Sequence, residues 1–298
     1  KVFDRNGKLK KQFFAYNKAF RGGVNVTTGD VNGDGIDEVI TGPGRGGEPY
    51  VRVFNIKKGT LQYQFLAFPK TFRGGVNVAA GDVDNDGHDE IVVSPQSGGG
   101  PQVRVFDMVT KKFEKQFYAF AKSFRGGVNV AVGDLNRDGR EEVVAAPASK
   151  GGPQVRVFLL DKTGVHVQKQ FFAADKTKRM GLSLAIGDVV GTDKKPEIIT
   201  APTEGAQPPT VRIFSRTGTP VGVFKVTADS FLGGVNVSAG DLLNFNNIDE
   251  MVSCGYSNTL PGVFVFKKAK GTVLQRTLSF FAYPQGFRGG VRTSLGHF

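Results

Sequence analysis

A unit of a little over 50 residues recurs along this 298-residue chain, each full copy holding four strand-like segments, while the two ends carry complementary fragments of the same unit. These observations predict an all-β fold, a β-propeller of four-stranded antiparallel blades. Phe20-Arg21-Gly22-Gly23-Val24-Asn25-Val26 returns at Phe72 to Val78 and at Phe124 to Val130, a constant step of 52 residues. It fades at Arg179 to Leu184, recovers at Phe231 to Val237 and appears last at Phe287 to Val291. Val-Arg-Val-Phe stands at 51–54, 103–106 and 155–158, then becomes Val211 to Phe214 and Val263 to Phe266. Gln-Phe-x-Ala closes the units at Gln64–Ala67, Gln116–Ala119 and Gln170–Ala173.

Within one unit, Val76 to Val83 alternates as a strand, Glu90 to Val93 is a short β-branched run, and Gln96 to Pro101 is a glycine-rich turn. Gln102 to Phe106 and Phe113 to Phe120 supply the third and fourth strands. No segment sustains a helical period. The blades expected on this reading are 23–68, 75–120, 127–173, 181–226 and 234–282, within one domain spanning 1–298. Residues 1–16 match a third and fourth strand, and 289–298 match a first strand. The two fragments suggest a sixth, composite blade shared between the ends, with seven blades an alternative.

Composition agrees with many short strands: Gly 41 against Pro 14 and no Trp. No run of 18 apolar residues occurs, so no transmembrane segment is expected. The opening Lys1-Val2-Phe3-Asp4 reads as the middle of a unit rather than as an export signal. A single cysteine, Cys254, rules out an intrachain disulfide. The net charge of +12 suits polyanions. However, the lysines cluster at Lys8, Lys10 and Lys11, at Lys57 and Lys58, at Lys111, Lys112 and Lys115, and at Lys267, Lys268 and Lys270. They fall in or beside each unit's last strand, where lysine protects an exposed sheet edge. No specific nucleic-acid partner is expected.

An acidic loop follows each first strand. Three are full: Asp30-Val31-Asn32-Gly33-Asp34-Gly35-Ile36-Asp37-Glu38, then Asp82 to Glu90, then Asp134 to Glu142. Side-chain oxygens at positions 1, 3 and 5 (Asp30, Asn32, Asp34; Asp82, Asp84, Asp86; Asp134, Asn136, Asp138) converge when the backbone curls at the glycine in position 6. The carbonyls of Ile36, His88 and Arg140 at position 7 and the carboxylates of Glu38, Glu90 and Glu142 at position 9 complete an oxygen shell. Such a shell suits calcium rather than zinc, and magnesium less well. One Asn-Gly-Asp-Gly could be plain hairpin chemistry, but three in register point to metal. The loops at 188–197 and 241–250 are each one residue longer and lack the glycine and the full acidic set. No tight site is expected there, although Asn244 and Asn246 could support a weak one.

The order of these motifs resembles the FG-GAP repeat of integrin α-subunit propellers and their bacterial surface relatives. The counterparts are Phe72 with Gly74 and Gly75, the run Gly81 to Gly87, and Val93-Ser94-Pro95. The family usually has Asp at position 9; here Glu stands there behind another acid, and strand alternation turns Asp37, Asp89 and Glu141 to the other face. The resemblance implies structural calcium and an extracellular or cell-surface location, where calcium levels fill sites of even ~0.1–1 mM affinity. It also implies a non-enzymatic binding or adhesion module, part of a longer surface protein, with a protein or glycan ligand at the loop face.

Two alternatives differ in class. A lectin-like or polyanion-binding propeller would use Arg21, Arg73, Arg125 and Arg288, or Arg52, Arg104, Arg156 and Arg212. The bland reading of these arginines is packing between blades or bridging of loops. A further alternative is an accessory domain of a secreted polysaccharide-active enzyme; a propeller that is itself an enzyme would need one special blade carrying a catalytic cluster. His88, His166 and His297 stand in unrelated repeat positions, and Cys254 beside Ser253 reads as a small buried residue, so no catalytic residues are expected.

Overall fold

A computed structural model describes residues 1–190, 195–203, 210–226, 234–242, 249–255, 261–268 and 274–297. Five four-stranded antiparallel sheets follow one another, each in simple meander order. Blade 1 comprises Val24–Gly29, Glu38–Pro43, Tyr50–Asn55 and Thr60–Leu66, and blade 2 comprises Val76–Gly81, Glu90–Pro95, Gln102–Asp107 and Lys112–Tyr118. Blade 3 holds Val128–Gly133, Glu142–Pro147, Gln154–Asp161 and Gly164–Phe172. Blade 4 holds Leu182–Gly187, Glu197–Pro202, Thr210–Phe214 and Pro220–Lys225, and blade 5 holds Val235–Gly240, Glu250–Gly255, Gly262–Lys268 and Leu274–Phe281. Among the described residues no helix is long and apolar enough to cross a membrane.

The core lies between sheets, not within them. All five second strands are buried along their whole length. Because side chains alternate faces, one strand feeds two cores. Ile91 and Val93 pack with Ile40, Val51, Val53 and Phe65 of blade 1, whereas Val92 packs with Val143, Ala145 and Phe158 of blade 3. The same sharing continues between blades 3 and 4 and between blades 4 and 5.

Among the described residues the sixth composite blade expected from the sequence does not form, nor does a seventh: they build five four-stranded blades. The N-terminal fragment pairs only with itself, Val2–Phe3 against Leu9–Lys11, and the C-terminal tail carries no strand among its described residues. The reason is the missing second strand. In the other blades this apolar six-residue segment joins the inner strand to the outer pair, and neither fragment contains one. The fragments nevertheless fill the space between blades 5 and 1. The Phe3 ring packs at a tilt against Phe280 of blade 5, centroids 4.9 Å apart, and Phe13 against Phe54 of blade 1 at 5.0 Å. The tail takes the inner place: Asn236 Nδ2 donates to Val291 O at 2.6 Å, and Thr28 Oγ1 lies 3.2 Å from Ser294 Oγ. The tail thus lines, together with all five first strands, a central cavity of about 230 Å³.

Repeated polar clasps tie blade to blade. The first-strand asparagines reach the next first strand: Asn25 donates to Val76 O at 2.5 Å, Asn77 to Val128 O at 2.6 Å and Asn129 to Leu182 O at 2.7 Å. Third-strand arginines reach backwards. Arg52 donates to Ala15 O at 2.7 Å, Arg104 to Ala67 O at 2.8 Å and Arg156 to Ala119 O at 2.9 Å. Their guanidinium groups lie over Tyr16, Phe68 and Phe120 at 4.9, 5.2 and 5.3 Å. In the other arginine set the hydrogen bonds are local, Arg73 to Phe72 O at 2.9 Å and Arg125 to Phe124 O at 2.9 Å, while Arg73 also pairs with Glu48 of blade 1 at 3.6 Å. The two glycines after these arginines differ in role. A Cβ on Gly74 would stand 2.0 Å from Ser97 O, while Gly75 has φ +84°, a region open to glycine.

Cys254 is buried, as its setting in the sequence implies, and its thiol donates to Val291 O at 3.0 Å. Not every lysine cluster lies on a last strand. Lys267 and Lys268 end the third strand of blade 5, and Lys115 Nζ crosses to Asp161 O of blade 3 at 2.7 Å.

The two arginine sets should separate in a stability measurement. Arg104→Met is expected to lower unfolding free energy by roughly 1.5–3 kcal/mol, the range for a hydrogen bond from a charged donor. Arg125→Met should cost under about 1 kcal/mol, as is usual for an exposed side chain. Urea denaturation of both variants checks the difference.

Candidate metal-binding loops

In blade 2 the strand Val76–Gly81 delivers the chain to Asp82, whose carboxylate then organises the loop. Asp82 Oδ1 accepts N–H groups from Asn85 at 2.6 Å and Asp86 at 3.1 Å, and Oδ2 accepts that of Gly87 at 2.9 Å. Two left-handed residues permit the curl, Asn85 at φ 63° and Gly87 at φ 91°. Loops 1 and 3 repeat the arrangement. Asp34 and Gly35 donate to the Asp30 carboxylate at 3.0 and 2.7 Å, and Asp138 and Gly139 to that of Asp134 at 3.1 and 2.9 Å. Gly33 and Arg137 take the left-handed position 4, a requirement that ligand spacing alone does not reveal.

The result is a knot of oxygens. Asp82, Asp84 and Asp86 each bring one carboxylate oxygen within 4.8 Å of the other two. Asp84 Oδ1 is buried without a hydrogen-bond partner, as are Glu38 Oε2 in loop 1 and Asn136 Oδ1 in loop 3. In loops 1 and 3 the position-3 amide bridges acids. Asn32 Nδ2 donates to Glu38 Oε1 at 2.8 Å, and Asn136 Nδ2 to Glu142 Oε1 at 2.8 Å and Asp138 Oδ2 at 2.9 Å. Half a turn of such an amide presents oxygen in place of nitrogen. Ile36, His88 and Arg140 each give their N–H to the position-5 acid at 3.0 Å. The His88 ring also faces Asp86 Oδ1 at 3.2 Å, and Arg140 reaches Leu160 O at 3.1 Å.

The position-9 glutamates are buried in all five blades, including the two with altered loops. One oxygen caps the loop: Glu90 Oε2 accepts Val83 N–H at 3.0 Å, Glu142 Oε2 accepts Leu135 N–H at 3.0 Å and Glu197 Oε2 accepts Val189 N–H at 2.8 Å. Burial among like charges shows in their acidity. Burial, then Asp84, pushes Glu90 up to about 9. Burial, then Asp34 and Asp30, raises Glu38 to about 7, and burial, then Asp138 and Asp134, raises Glu142 to about 7. Asp84 is raised by burial, then by Asp86 and Asp82. A cluster of this kind fits a hard divalent cation, which removes the repulsion and takes the orphaned oxygens.

Two further groups of residues belong to the site. Every fourth strand carries a bulge at the same place, at Gln62, Glu114, Gln168, Val221 and Thr277. The bulge residue is an acid or amide in the blades with full loops and neither in blades 4 and 5. Gln62 offsets part of the rise in Glu38, and Glu114 is raised by burial, then by Asp84. The signal available in the sequence was this covariation with loop quality. The position-8 acids turn towards the preceding blade. Asp89 Oδ2 accepts Asp30 N–H at 2.9 Å, and Asp89 N–H donates back to Asp30 O at 3.0 Å. Asp249 clasps Asp188 in the same way at 2.8 and 2.9 Å. Asp37 clasps His297 of the tail at 2.9 and 3.0 Å. The glycine before each loop makes room: a Cβ on Gly81 would stand 1.8 Å from Glu141 Oε2.

Asp188 in the fourth loop is buried, with Arg137 Nη2 3.9 Å from its carboxylate. Asn244 and Asn246 lie outside the described residues.

A family model described as an FG-GAP-like repeat matches residues 30–93, from the first loop through the second strand of blade 2. That stretch is therefore similar to an FG-GAP-like repeat. Integrin alpha pat-2 of Caenorhabditis elegans is 26% identical over 211 residues, covering 59% of this chain and 17% of that protein. Integrin alpha-8 of Gallus gallus is 29% identical over 147 residues, covering 42% of this chain and 14% of that protein. The alignments therefore span under a fifth of either integrin subunit. The β-propeller domain of Cps50 (Swd1) from Myceliophteria thermophila superposes with TM-score 0.51 at 12% identity, covering 88% of this chain and 74% of that one. That likeness concerns fold alone.

Gly81→Ala should expel the Glu141 carboxylate from its place and cost about 1–3 kcal/mol, as overpacking does. Gly286→Ala, with nothing within 4 Å of its added methyl, should be close to neutral. Thermal melts of the two variants side by side check the contrast.

Proposed function

We propose that this FG-GAP-type propeller is a non-enzymatic binding or adhesion module, stabilised by calcium and displayed outside the cell or on its surface. The observation that carries the reading is the convergence of Asp82, Asp84 and Asp86 with a buried, unpaired Asp84 oxygen, beside a buried Glu90. Loops 1 and 3 supply the same positions through Asp30, Asn32, Asp34 and Glu38 and through Asp134, Asn136, Asp138 and Glu142. Calcium is the cation of this shell, and it is plentiful outside cells. The integrin relatives favour adhesion over catalysis. So does the engagement of the reactive side chains: Cys254 holds a backbone carbonyl, and His166 sits in a hairpin turn beside Thr163 at 2.8 Å and Asp161 at 3.3 Å. A protein or glycan bound at one face of the ring is the partner this reading requires.

Chelation tests it. With calcium at 100 times its dissociation constant, each site adds about 2.7 kcal/mol to stability, so chelator should lower the melting midpoint clearly. Asp84→Ala should remove most of the blade 2 contribution, and an unchanged midpoint in chelator sinks the calcium reading. Loop 2 has three carboxylates at positions 1, 3 and 5 where loops 1 and 3 have two, and Glu114 beside them. Calorimetric titration is therefore expected to fill loop 2 first, and Asp84→Asn should remove that tightest step. Incubation with acidic polysaccharides should release no cleaved product; turnover would overturn the non-enzymatic reading.

A further inference from the structure

The Gln-Phe-x-Ala block leaves its third residue facing solvent on the rim of the ring. That residue is aromatic at four of the six repeat positions. Phe14 is 68% exposed, Tyr118 45%, Phe172 48% and Phe281 47%. Exposed apolar side chains are common on outer strands, Leu61, Phe113, Val167 and Val223 among them; what sets these rings apart is that they return at one register position with the same polar neighbours.

The surroundings of the rings repeat as well. Lysine stands four residues further on at Lys18, Lys122 and Lys176. Lys18 Nζ lies 5.6 Å from the Phe14 centroid and Lys122 Nζ 5.2 Å from that of Tyr118. Directly across the ladder from Tyr118 is Gln102, and from Phe172 is Gln154. Each belongs to an amide pair, Gln102 Nε2 to Gln116 Oε1 at 3.0 Å and Gln154 Nε2 to Gln170 Oε1 at 3.4 Å. A bare glycine completes the platform. A Cβ on Gly100 would stand 3.7 Å from the Tyr118 ring, and one on Gly152 would stand 3.6 Å from Phe172 and 3.7 Å from Arg179 Nη1.

We propose that these rim platforms of blades 2 and 3 bind an acidic polysaccharide. A sugar presents a flat C–H face that stacks on an aromatic ring, hydroxyls that match paired amides, and in a uronate a carboxylate for the adjoining lysine or arginine. The platforms recur with the blades, so a polymer can engage more than one and gain from effective concentration. The net charge of +12 adds a field that attracts the polymer. The inference deepens the proposed binding function and rests on that reading.

Polygalacturonate is the probe, with dextran as the neutral counterpart, in calorimetric titrations of the calcium-loaded chain. The double variant Tyr118→Ser/Phe172→Ser should raise the dissociation constant for polygalacturonate at least tenfold without moving the melting midpoint. Lys58→Gln, which removes a charge away from the platforms, should change it less than twofold, and dextran should not bind measurably. The inference is overturned if polygalacturonate does not bind, or if dextran binds equally. It is also overturned if Lys58→Gln weakens binding as much as the aromatic pair does, or if duplex DNA competes while the aromatic pair has no effect. Melts with and without chelator on the same samples separate the two claims. A calcium-dependent midpoint without polysaccharide binding sinks the rim platforms alone, whereas binding with a calcium-independent midpoint sinks calcium stabilisation alone.

Discussion

A strand buried on both faces needs a sheet on either side, and every blade here has such a second strand. Ile91 and Val93 require blade 1; Val92, between them, requires blade 3. A blade is therefore not a unit of stability, and the array must continue or close. Closure falls to unlike pieces. The N-terminal hairpin sends Phe3 to blade 5 and Phe13 to blade 1, while the tail occupies the inner place between them. The polar clasps follow from the same constraint. Sheets fanning around an axis are close together at the inner strands, where a short asparagine spans the gap. Further out they diverge, and a longer arginine laid on an aromatic ring is needed.

The strands were legible because alternation and turn residues repeat from copy to copy. Expected and observed bounds in blade 2 agree within two residues, and Gln102 to Phe106 was short by one. The number of blades was not legible. Matching fragments reveal strand-like sequence, but pairing depends on the second strand between them, and strand similarity does not supply it. Positions 1, 3, 5 and 9 of the loops could be named because ligand spacing is a local property. The bulge residues Gln62 and Glu114 approach their loops from the far edge of the sheet, over 20 residues onward, and no local spacing encodes that approach. The arginines illustrate the opposite case: two sets equally periodic in sequence differ in their hydrogen bonds, one donating to the preceding blade and one within its own loop.

Loops 4 and 5 separate two roles that coincide elsewhere. Glu197 and Glu250 remain buried and cap their loops through the N–H groups of Val189 and Leu242, at 2.8 and 3.0 Å, although the glycine and acid pattern around them has gone. The position-9 glutamate thus closes the turn between first and second strands whether or not the rest of the shell is present. This is why a blade can lose its acidic pattern and keep its register. In loop 4 a neighbouring guanidinium, that of Arg137, stands by the buried Asp188.

The loops also interlock, and this bears on how a cation would act. Asp89 of blade 2 holds the backbone of Asp30 in loop 1, and the Glu141 N–H of blade 3 holds Asp82 O at 3.0 Å. Asp30 and Asp82 are the residues whose carboxylates gather the N–H groups of their own loops. The first acid of one loop is thereby fixed by the eighth residue of the next. Burial, with Asp37 and Asp30 nearby, pushes Asp89 up to about 6, while burial, then Asp89, pushes Glu141 up to about 8. The repulsion therefore extends between loops. A cation settling in loop 2 would lower the charge that Glu141 feels from Asp82. These contacts join the three full loops in series, and the series meets a gap at blade 4, where Pro196 stands in place of the position-8 acid. A proline can neither accept through a carboxylate nor donate an N–H, so the clasp that links the first three loops has no counterpart between the third and the fourth.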